Sequence, residues 1–336
     1  MVTIKDIARE VGVSPSTVSR ALSGSPLISD ETGERVRMAA QRLGYERNEL
    51  ARALVKGSSE AIGLIIPDIT NTFFADIALG VGEVAHAAGY GVILCNTIGS
   101  VDREASYISL LRRKQVDGLV LATATFNDPS TKSLSQTETP FILVSRTCQN
   151  ADASYVIGDD HAGARLAAEH LIELGHRRIG FIGGPADVQS SRDRRSTYRK
   201  VLRQHGLSAD DAWVCYADFT QAAGREAGRR ILSLENRPTA IFAANDVTAL
   251  GVLEAADQLG LSVPEDLSLV GYDDISYASL PRIQLTTVSQ PTFEMGKIAT
   301  EWLLSVLSKE DTLPLYRVLE PHLVVRNTTA RPGTDD

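Results

Sequence analysis

An apolar stripe of helical period opens the chain. Ile4, Ile7, Ala8 and Val11 follow one another at i, i+3, i+4 and i+7, the spacing that puts side chains on one face of a helix. Gly12 comes directly after the stripe, where glycine commonly ends a helix. The pattern therefore predicts a helix of about two turns that ends at this glycine.

The next residues predict a second short helix across a tight turn. Ser14 can cap it with its hydroxyl, and Pro15 fits the first helical position, where a missing N–H costs nothing. Val18 and Leu22 then face inward, whereas Arg20 lies on the outward face. Two such helices form a helix-turn-helix, whose second helix is the type that enters a DNA major groove. An amphipathic helical hairpin without a ligand is the alternative interpretation.

A third helix and a short unpartnered segment complete this region. Ser29–Thr32 caps a helix whose buried stripe ends shortly before Gly44, and three helices suffice to close a small domain. The buried positions of this third helix are Val36, Ala39, Ala40 and Leu43. Asn48–Leu54 follows as a run of good helix formers without an obvious packing partner, so we expect it to bind something.

From Ala61 onward short apolar runs alternate with amphipathic segments, which is typical of parallel sheets covered by helices on both faces. The runs are Ile62–Ile66, Val92–Cys95, Gly118–Ala122, Phe141–Val144, Ile179–Ile182, Ala212–Tyr216, Ala240–Ala243 and Leu267–Gly271. The alternation has two cycles with a seam at Tyr155–Asp160. It predicts an α/β fold with two similar lobes and a ligand cleft between them, rather than one very wide sheet.

Ligands of open α/β sheets bind beyond the carboxyl ends of the strands, and polar and aromatic residues follow the predicted strands here. They are Asp68, Asn71, Phe73, Phe74, Ser145, Arg146, Ser190, Arg192, Arg194, Phe219, Asn245, Asp246, Asp273 and Asp274. Core packing is the alternative for the two phenylalanines, and surface ion pairs for Arg146 and Arg194. Of each acidic or amide pair, we expect Asp273 and Asn245 to face the cleft and Asp246 to brace a loop.

The motifs of several other functional classes are missing from the sequence. No catalytic triad order, GxSxG, Walker loop, HExxH or metal-ligand spacing occurs, so neither an enzyme, a metal nor a cofactor is expected. Cys95, Cys148 and Cys215 are far apart and lie in apolar runs, which favours buried reduced thiols. The polar N-terminus and the lack of a long apolar stretch predict a cytoplasmic protein with no membrane contact.

The net charge of −8 is unusual for a DNA-binding protein and is unevenly distributed. Residues 1–56 carry nine basic and seven acidic side chains, so this region is +2 and the remainder is −10. Such a weakly basic head cannot hold DNA by charge alone. We therefore expect it to act as a pair of heads in a dimer that makes specific base contacts.

With these residues in view, the chain resembles the LacI/GalR family of bacterial transcriptional regulators over essentially its full length. The resemblance is carried by TIKDIAREVGVSPSTVSRAL, the ARAL hinge, IGLIIPDITNTFFADI, GHRRIGFIGGP, RPTAIFAANDVTALG and SLVGYDDI. It implies a helix-turn-helix head over 1–46, a hinge helix and linker over 47–59, and a core resembling periplasmic sugar-binding proteins over 60–336. The lobes of this core would meet near residue 160, with crossovers near 290 and 320.

For the head, the resemblance implies a homodimer on a palindromic double-stranded operator. Base reading falls to Pro15, Ser16 and Arg20, and a guanidinium can pair bidentately with guanine. Leu54 matches the residue that wedges into the minor groove, although Arg47 stands where many members have proline. Phosphate contacts are implied for Thr3, Ser14, Thr17, Ser19, Thr32 and Tyr45.

For the core, the resemblance implies a small-molecule effector that changes lobe closure and hence operator affinity. Effector positions are matched by Phe73, Phe74, Arg146, Ser190, Arg194, Phe219, Asn245 and Asp273. Their chemistry suits a polyhydroxylated ligand, so a sugar-like effector is favoured. A purine is the alternative, but the purine-binding member has an arginine where this chain has Val188, which counts against it. Whether the effector induces or corepresses stays open, and a solute-binding protein without DNA activity is the remaining alternative.

Overall fold

The structure is a computed structural model that describes residues 2–45, 58–310 and 313–333. The chain divides into two compact units, Met1–Ser59 and Glu60–Asp336. Leu54 and Arg47, which the sequence analysis assigned to the hinge, lie outside the described residues.

Three helices form the first unit: α1 (Ile4–Val11), α2 (Pro15–Leu22) and α3 (Asp30–Arg42). Gly12 ends α1 in the left-handed conformation that glycine adopts without strain. The Ser14 hydroxyl accepts a hydrogen bond from the backbone N–H of Thr17 at 3.1 Å, as an N-cap does. The helices pack around a small core in which Ile7, Val18 and Val36 are fully buried.

The second unit contains two α/β lobes. The first lobe is built on β1 (Ala61–Ile66), β2 (Gly91–Asn96), β3 (Gly118–Leu121), β4 (Phe141–Val144) and β5 (Tyr155–Gly158). Helices α4 (Thr72–Ala87), α5 (Val101–Arg113) and α6 (Pro129–Leu134) connect these strands. In the finished sheet every described strand pair is parallel, and the order is β11-β5-β4-β3-β1-β2, in which β11 (Tyr316–Leu319) comes from near the end of the chain.

The second lobe repeats this plan with β6 (Ile179–Gly183), β7 (Val214–Tyr216), β8 (Ala240–Ala243), β9 (Ser268–Asp273) and β10 (Thr286–Ser289). Its helices are α7 (Asp160–Glu173), α8 (Gln189–Gln204), α9 (Gln221–Leu232) and α10 (Asp246–Gln258), with short 3-10 turns at Asp211–Trp213 and Ser276–Ser279. The sheet order is β12-β10-β9-β8-β6-β7, and β12 (His322–Val324) is antiparallel to β10.

The chain passes between the lobes three times. After β5 it enters α7 of the second lobe, and after β10 it returns as α11 (Thr292–Leu307), which packs on the first sheet. It then adds β11 (Tyr316–Leu319) beside β5 and β12 (His322–Val324) beside β10. Both lobes therefore depend on distant parts of the sequence, and neither is one continuous segment.

Glycines allow two helix pairs to pack unusually closely. A Cβ atom at Gly80 of α4 would overlap the carbonyl oxygen of Phe293 in α11, and one at Gly296 would overlap that of Ile77. In the second lobe, Gly224 of α9 and Gly251 of α10 meet the facing helix backbone in the same way. Each lobe thus relies on a close helix contact that only glycine permits.

Candidate functional site

The outward face of α2 is accessible in the first unit. Pro15, Ser16 and Arg20, the predicted base-reading residues, are all exposed, whereas Val18 and Ala21 turn into the core. A helix with one buried and one polar exposed face can lie in a DNA groove without disturbing its own core.

Several of the predicted phosphate contacts lie at helix N-termini, where unpaired backbone N–H groups and the helix dipole favour anions. Thr3 and Ser14 precede α1 and α2, and Thr32 lies in the first turn of α3. Ser19 is exposed on α2. Thr17 is half-buried and shares a 2.8 Å hydroxyl contact with Ser14, and Tyr45 is half-buried beyond α3.

A cavity of about 630 Å³ lies between the two lobes of the second unit, where the carboxyl ends of both sheets face each other. The structure brings all eight residues matched to effector positions into its walls. They are Phe73, Phe74, Arg146, Ser190, Arg194, Phe219, Asn245 and Asp273. This volume is in the range of small-molecule sites in proteins.

Loop residues with positive φ aim some of these groups into the cavity. Ser145 follows β4 at φ 62°, Phe219 follows β7 at φ 65°, and Asp273 ends β9 at φ 114°. Residues other than glycine rarely adopt positive φ values, and those that do are concentrated at binding and active sites. The Phe219 ring lies so close to Gly184 that a Cβ atom there would overlap it.

Arg194 is buried at 5% exposure, so the surface ion pair considered for it is wrong. Its Nε donates to Asp160 Oδ1 at 2.7 Å, and Nη1 donates to the carbonyl oxygen of Ala244. The guanidinium lies 3.6 Å from the ring centroid of Tyr272. Although burial opposes the charge, the Asp160 carboxylate raises the pKa of Arg194. These contacts hold a permanent cation in one orientation at the cavity wall.

Arg146 is anchored on the opposite lobe. Its Nη1 donates to the carbonyl oxygen of Thr123 at 3.1 Å, and desolvation lowers its pKa to about 10 despite the negative charge of Glu104. It therefore remains charged at neutral pH and supplies further N–H donors to the cavity.

The neighbouring acids at the end of β9 have different environments. Asp273 lines the cavity and accepts a 2.8 Å hydrogen bond from Gln290, whereas Asp274 pairs with Arg326 at 2.7 Å. Burial raises the pKa of Asp273 to about 7, even though Arg194 lowers it. The expectation that Asp273 rather than Asp274 faces the cleft is confirmed.

Asp246 braces a loop, as the sequence analysis expected. Its carboxylate is fully buried and accepts hydrogen bonds from the Ile275 N–H at 2.9 Å and the Thr287 hydroxyl at 2.6 Å. Asn245 beside it lines the cavity and caps α10 through the Thr248 N–H at 2.9 Å. Phe73 and Phe74 belong to the first-lobe core and line the cavity as well, so both interpretations of them apply.

Sequence reasoning missed Glu104 and Thr123, which also line the cavity. Glu104 lies in the first turn of α5 behind the N-cap Ser100, where an acidic residue is ordinarily a solvent-exposed dipole contact. Its 2% exposure is the opposite of that expectation, and no sequence pattern distinguishes the two cases. Thr123 follows β3, so the rule applied to the other strand ends could have found it.

The cavity combines rigid donors, acceptors and an aromatic wall, an arrangement suited to binding rather than to bond cleavage. Within residues 2–45, 58–310 and 313–333, no cluster of histidine, cysteine and acidic side chains could hold a metal ion. In the same ranges, every helix is too short or too polar to cross a membrane. The three cysteines are free, and Cys148 is half-buried rather than buried.

Comparison with known proteins links both units to one family. Residues 3–48 match the family model described as bacterial regulatory proteins, lacI family, and residues 168–329 match a periplasmic binding protein-like domain. The ribose operon repressor of Halalkalibacterium halodurans is 37% identical over 330 residues, which is 98% of this chain and 97% of that protein. The transcriptional repressor PurR of Vibrio campbellii is 32% identical over 98% of this chain and 99% of its own length.

Solved structures agree with this placement over the whole chain. The Lac repressor dimer bound to operator and the anti-inducer ONPF has a TM-score of 0.88 at 28% identity, covering 98% of this chain and 99% of its own. The transcriptional regulator CelR in complex with cellobiose has a TM-score of 0.75 at 33% identity, covering 98% and 100%. This chain belongs to the LacI family and is a DNA-binding transcriptional regulator of the repressor type, controlled by a small effector and not an enzyme.

Proposed function

We propose that the effector of this regulator is a sugar or sugar derivative that binds in the cavity between the lobes. One observation carries the proposal: all eight residues expected to bind the effector line the same cavity. Asp273 can accept from two neighbouring hydroxyls, Arg194 and Asn245 can donate, and a phenylalanine ring can cover the apolar face of a sugar ring. The bound cellobiose of the similar CelR structure supports this ligand class.

A purine effector is the less favoured candidate. Val188, at the N-cap of α8, is 3% exposed and presents an apolar wall, whereas the carboxylate, amide and guanidinium groups lie at other positions of the cavity.

The proposed DNA-bound form is a homodimer on a palindromic operator, with Pro15, Ser16 and Arg20 at the base edges. The Lac repressor dimer supports this stoichiometry. Strand β2 lies at one edge of the first sheet, where Ile93 is 40% and Leu94 38% exposed. Strands of such sheets are ordinarily covered on both faces, so these exposed apolar side chains support a second chain packed against them. A sedimentation mass of two chains is expected, and a mass of one or four chains would contradict it.

A ligand screen with a matched pair of variants tests the effector proposal. Neutral sugars, sugar acids, sugar phosphates and purines are tested by thermal shift; a ligand at 100 times its Kd stabilises by about 2.7 kcal/mol. Asp273→Asn should lose the shift and the effector's influence on operator binding, yet still bind operator DNA. Asp274→Asn, one residue along and paired with Arg326 outside the cavity, should retain both. A shift from purines alone, or an unchanged response in Asp273→Asn, would refute the proposal.

A further inference from the structure

The first-lobe end of the cavity contains a carboxylic acid with unused hydrogen-bonding capacity. Glu104 is only 2% exposed, and its Oε1 atom has no hydrogen-bond partner among the described residues. The Thr123 hydroxyl beside the cavity likewise has no hydrogen-bond partner among the described residues, and Thr123 is 5% exposed. Burying a polar atom without a hydrogen-bond partner is energetically unfavourable, so such atoms call for an explanation.

Of the groups around Glu104, Arg146 favours its charged form, whereas burial and the negative charge of Asp128 oppose it. Asp128, whose negative charge acts on Glu104, is itself fully engaged as the cap of α6 and accepts from the N–H groups of Thr131 at 2.8 Å and Thr125 at 3.0 Å. Burial, reinforced by this charge, raises the pKa of Glu104 to about 7. The fold therefore keeps beside Arg146 a buried carboxyl group whose Oε1 accepts no hydrogen bond from the described residues.

The cavity walls are strongly acidic. Five carboxylic acids line it, against two arginines. The acids are Asp68, Glu104, Asp187, Asp218 and Asp273. Neither arginine is uncompensated, because Arg194 is ion-paired with Asp160 at 2.7 Å, and Arg146 is surrounded by the charges of Glu104, Asp187 and Asp128. A phosphate or carboxylate on a ligand would meet more carboxyl groups than cations there, and both arginines already face carboxyl groups of the protein.

We propose that this cavity selects an uncharged polyhydroxylated ligand and rejects its phosphorylated and acidic derivatives, and that Glu104 accepts a hydrogen bond from a ligand hydroxyl at the first-lobe end. This inference rests on the proposed sugar effector and narrows its chemical class. Glu104 is then a specificity residue opposite Asp273, so that each lobe contributes one carboxylate to the ligand. A ligand hydroxyl donates to the Glu104 oxygen that accepts no hydrogen bond from the described residues.

The test compares neutral sugars with their charged forms on the full-length protein. Ribose, glucose, galactose and cellobiose, together with ribose 5-phosphate, glucose 6-phosphate and gluconate, are titrated by calorimetry. The wild type should bind at least one neutral sugar, and the phosphate or acid derived from that sugar should bind at least thirtyfold more weakly. A charged derivative that binds as tightly as its parent would overturn the proposed class.

Variants separate the role of Glu104 from that of the overall charge. Glu104→Gln should weaken the neutral sugar about tenfold and reduce the discrimination against its phosphate, whereas Glu83→Gln on the exposed face of α4 should change neither. Asp187→Asn removes an exposed charge at the cavity rim and should reduce the discrimination against the phosphate, which keeps the test valid if Glu104→Gln folds poorly. Unchanged affinity and discrimination in a folded Glu104→Gln protein would refute its role.

The outcomes distinguish this inference from the proposed function. Binding of sugar phosphates or sugar acids in preference to neutral sugars would refute the uncharged class but leave a sugar effector in place. Binding of purines and no sugar would refute the proposed function itself.

Discussion

At the scale of single residues, Arg20 is the side chain on the exposed face of α2 that can pair with two acceptors of one base. Arg20→Ala should weaken specific binding by about 1–3 kcal/mol and relax the preference at one operator position in each half-site. An operator selected from random DNA and every single-base variant of it would be titrated by fluorescence anisotropy. Arg9→Ala, on exposed α1, serves as the charge-matched control. Equal weakening on all sequences would show that Arg20 contacts phosphate instead.

Asp273 should couple effector binding to pH. Its ordinary pKa of 3.8 rises to about 7 in the folded protein, because burial and the Asp160 charge outweigh the stabilisation of the carboxylate by Arg194 and Gln290. Between these values the folded state holds a proton that the unfolded state has released, so this residue's contribution to stability falls as pH rises from 4 to 7.

A hydroxyl ligand that donates to Asp273 favours its charged form, so binding near pH 7 should release protons. Calorimetric titration in phosphate and in Tris buffer, whose ionisation enthalpies differ, measures the number released. Glu104 also lies on the cavity wall with a pKa raised to about 7, so it contributes to the number of protons released. In Glu104→Gln only the protons released by Asp273 should remain. Identical enthalpies in both buffers would contradict this coupling.

At the scale of elements, the sequence predicted best where burial and periodicity act together. Strands β1, β3, β4, β6, β8 and β9 are buried on both faces and appear as continuous apolar runs. The apolar runs did not predict β10 or β11. Strand β10, TTVS, buries threonine hydroxyls that form hydrogen bonds inside the protein, and the side chains of β11 are largely exposed at a sheet edge. Neither environment requires an apolar run.

The candidate site followed from topology rather than from any single motif. Parallel strands carry their carboxyl ends to one edge of a sheet, so residues that follow β7 and β9 lie at one edge of the second sheet, and residues that follow β4 lie at the corresponding edge of the first. Glu104 belongs to a helix instead, and its burial depends on how α5 packs over the sheet. Such packing is a tertiary property that local sequence does not specify.

The close contact of α4 with α11 gives a prediction about stability. Gly296→Ala would place a methyl group against the backbone of Ile77, and because backbone cannot move aside as a side chain can, unfolding should become easier by about 1–3 kcal/mol or more. Gly82→Ala on α4 meets no atom within 4 Å and should stabilise by up to about 1 kcal/mol, as alanine does in an open helix. Urea titration of both variants measures the difference; equal effects would contradict the proposed contact.

At the scale of the whole second unit, the two lobes also meet at Phe126, in the loop after β3. The Phe126 N–H donates to the carbonyl oxygen of Asp187 at 2.6 Å, and the Arg192 guanidinium lies 4.1 Å from the centre of its ring. Val247 and Leu250 of the second lobe pack against the first-lobe core. These contacts join the two lobes beside the cavity; we call the arrangement that contains them the closed form, and a ligand that touches both walls favours it.

Weakening this junction should therefore shift effector and operator affinity together. Phe126→Ala removes a cation–π contact worth about 0.5–1 kcal/mol, so the closed form loses population and the effector binds a few-fold more weakly. The effector favours the closed form, and the variant disfavours it. Because linkage is reciprocal, the operator affinity of the effector-free variant should change in the opposite direction to the change that the effector causes in the wild type. Arg192→Ala should act alike, and the double variant should add little, since both remove one contact. Unchanged affinities for both ligands would exclude this junction from the allosteric transition, and additive effects would mean that the two residues act separately.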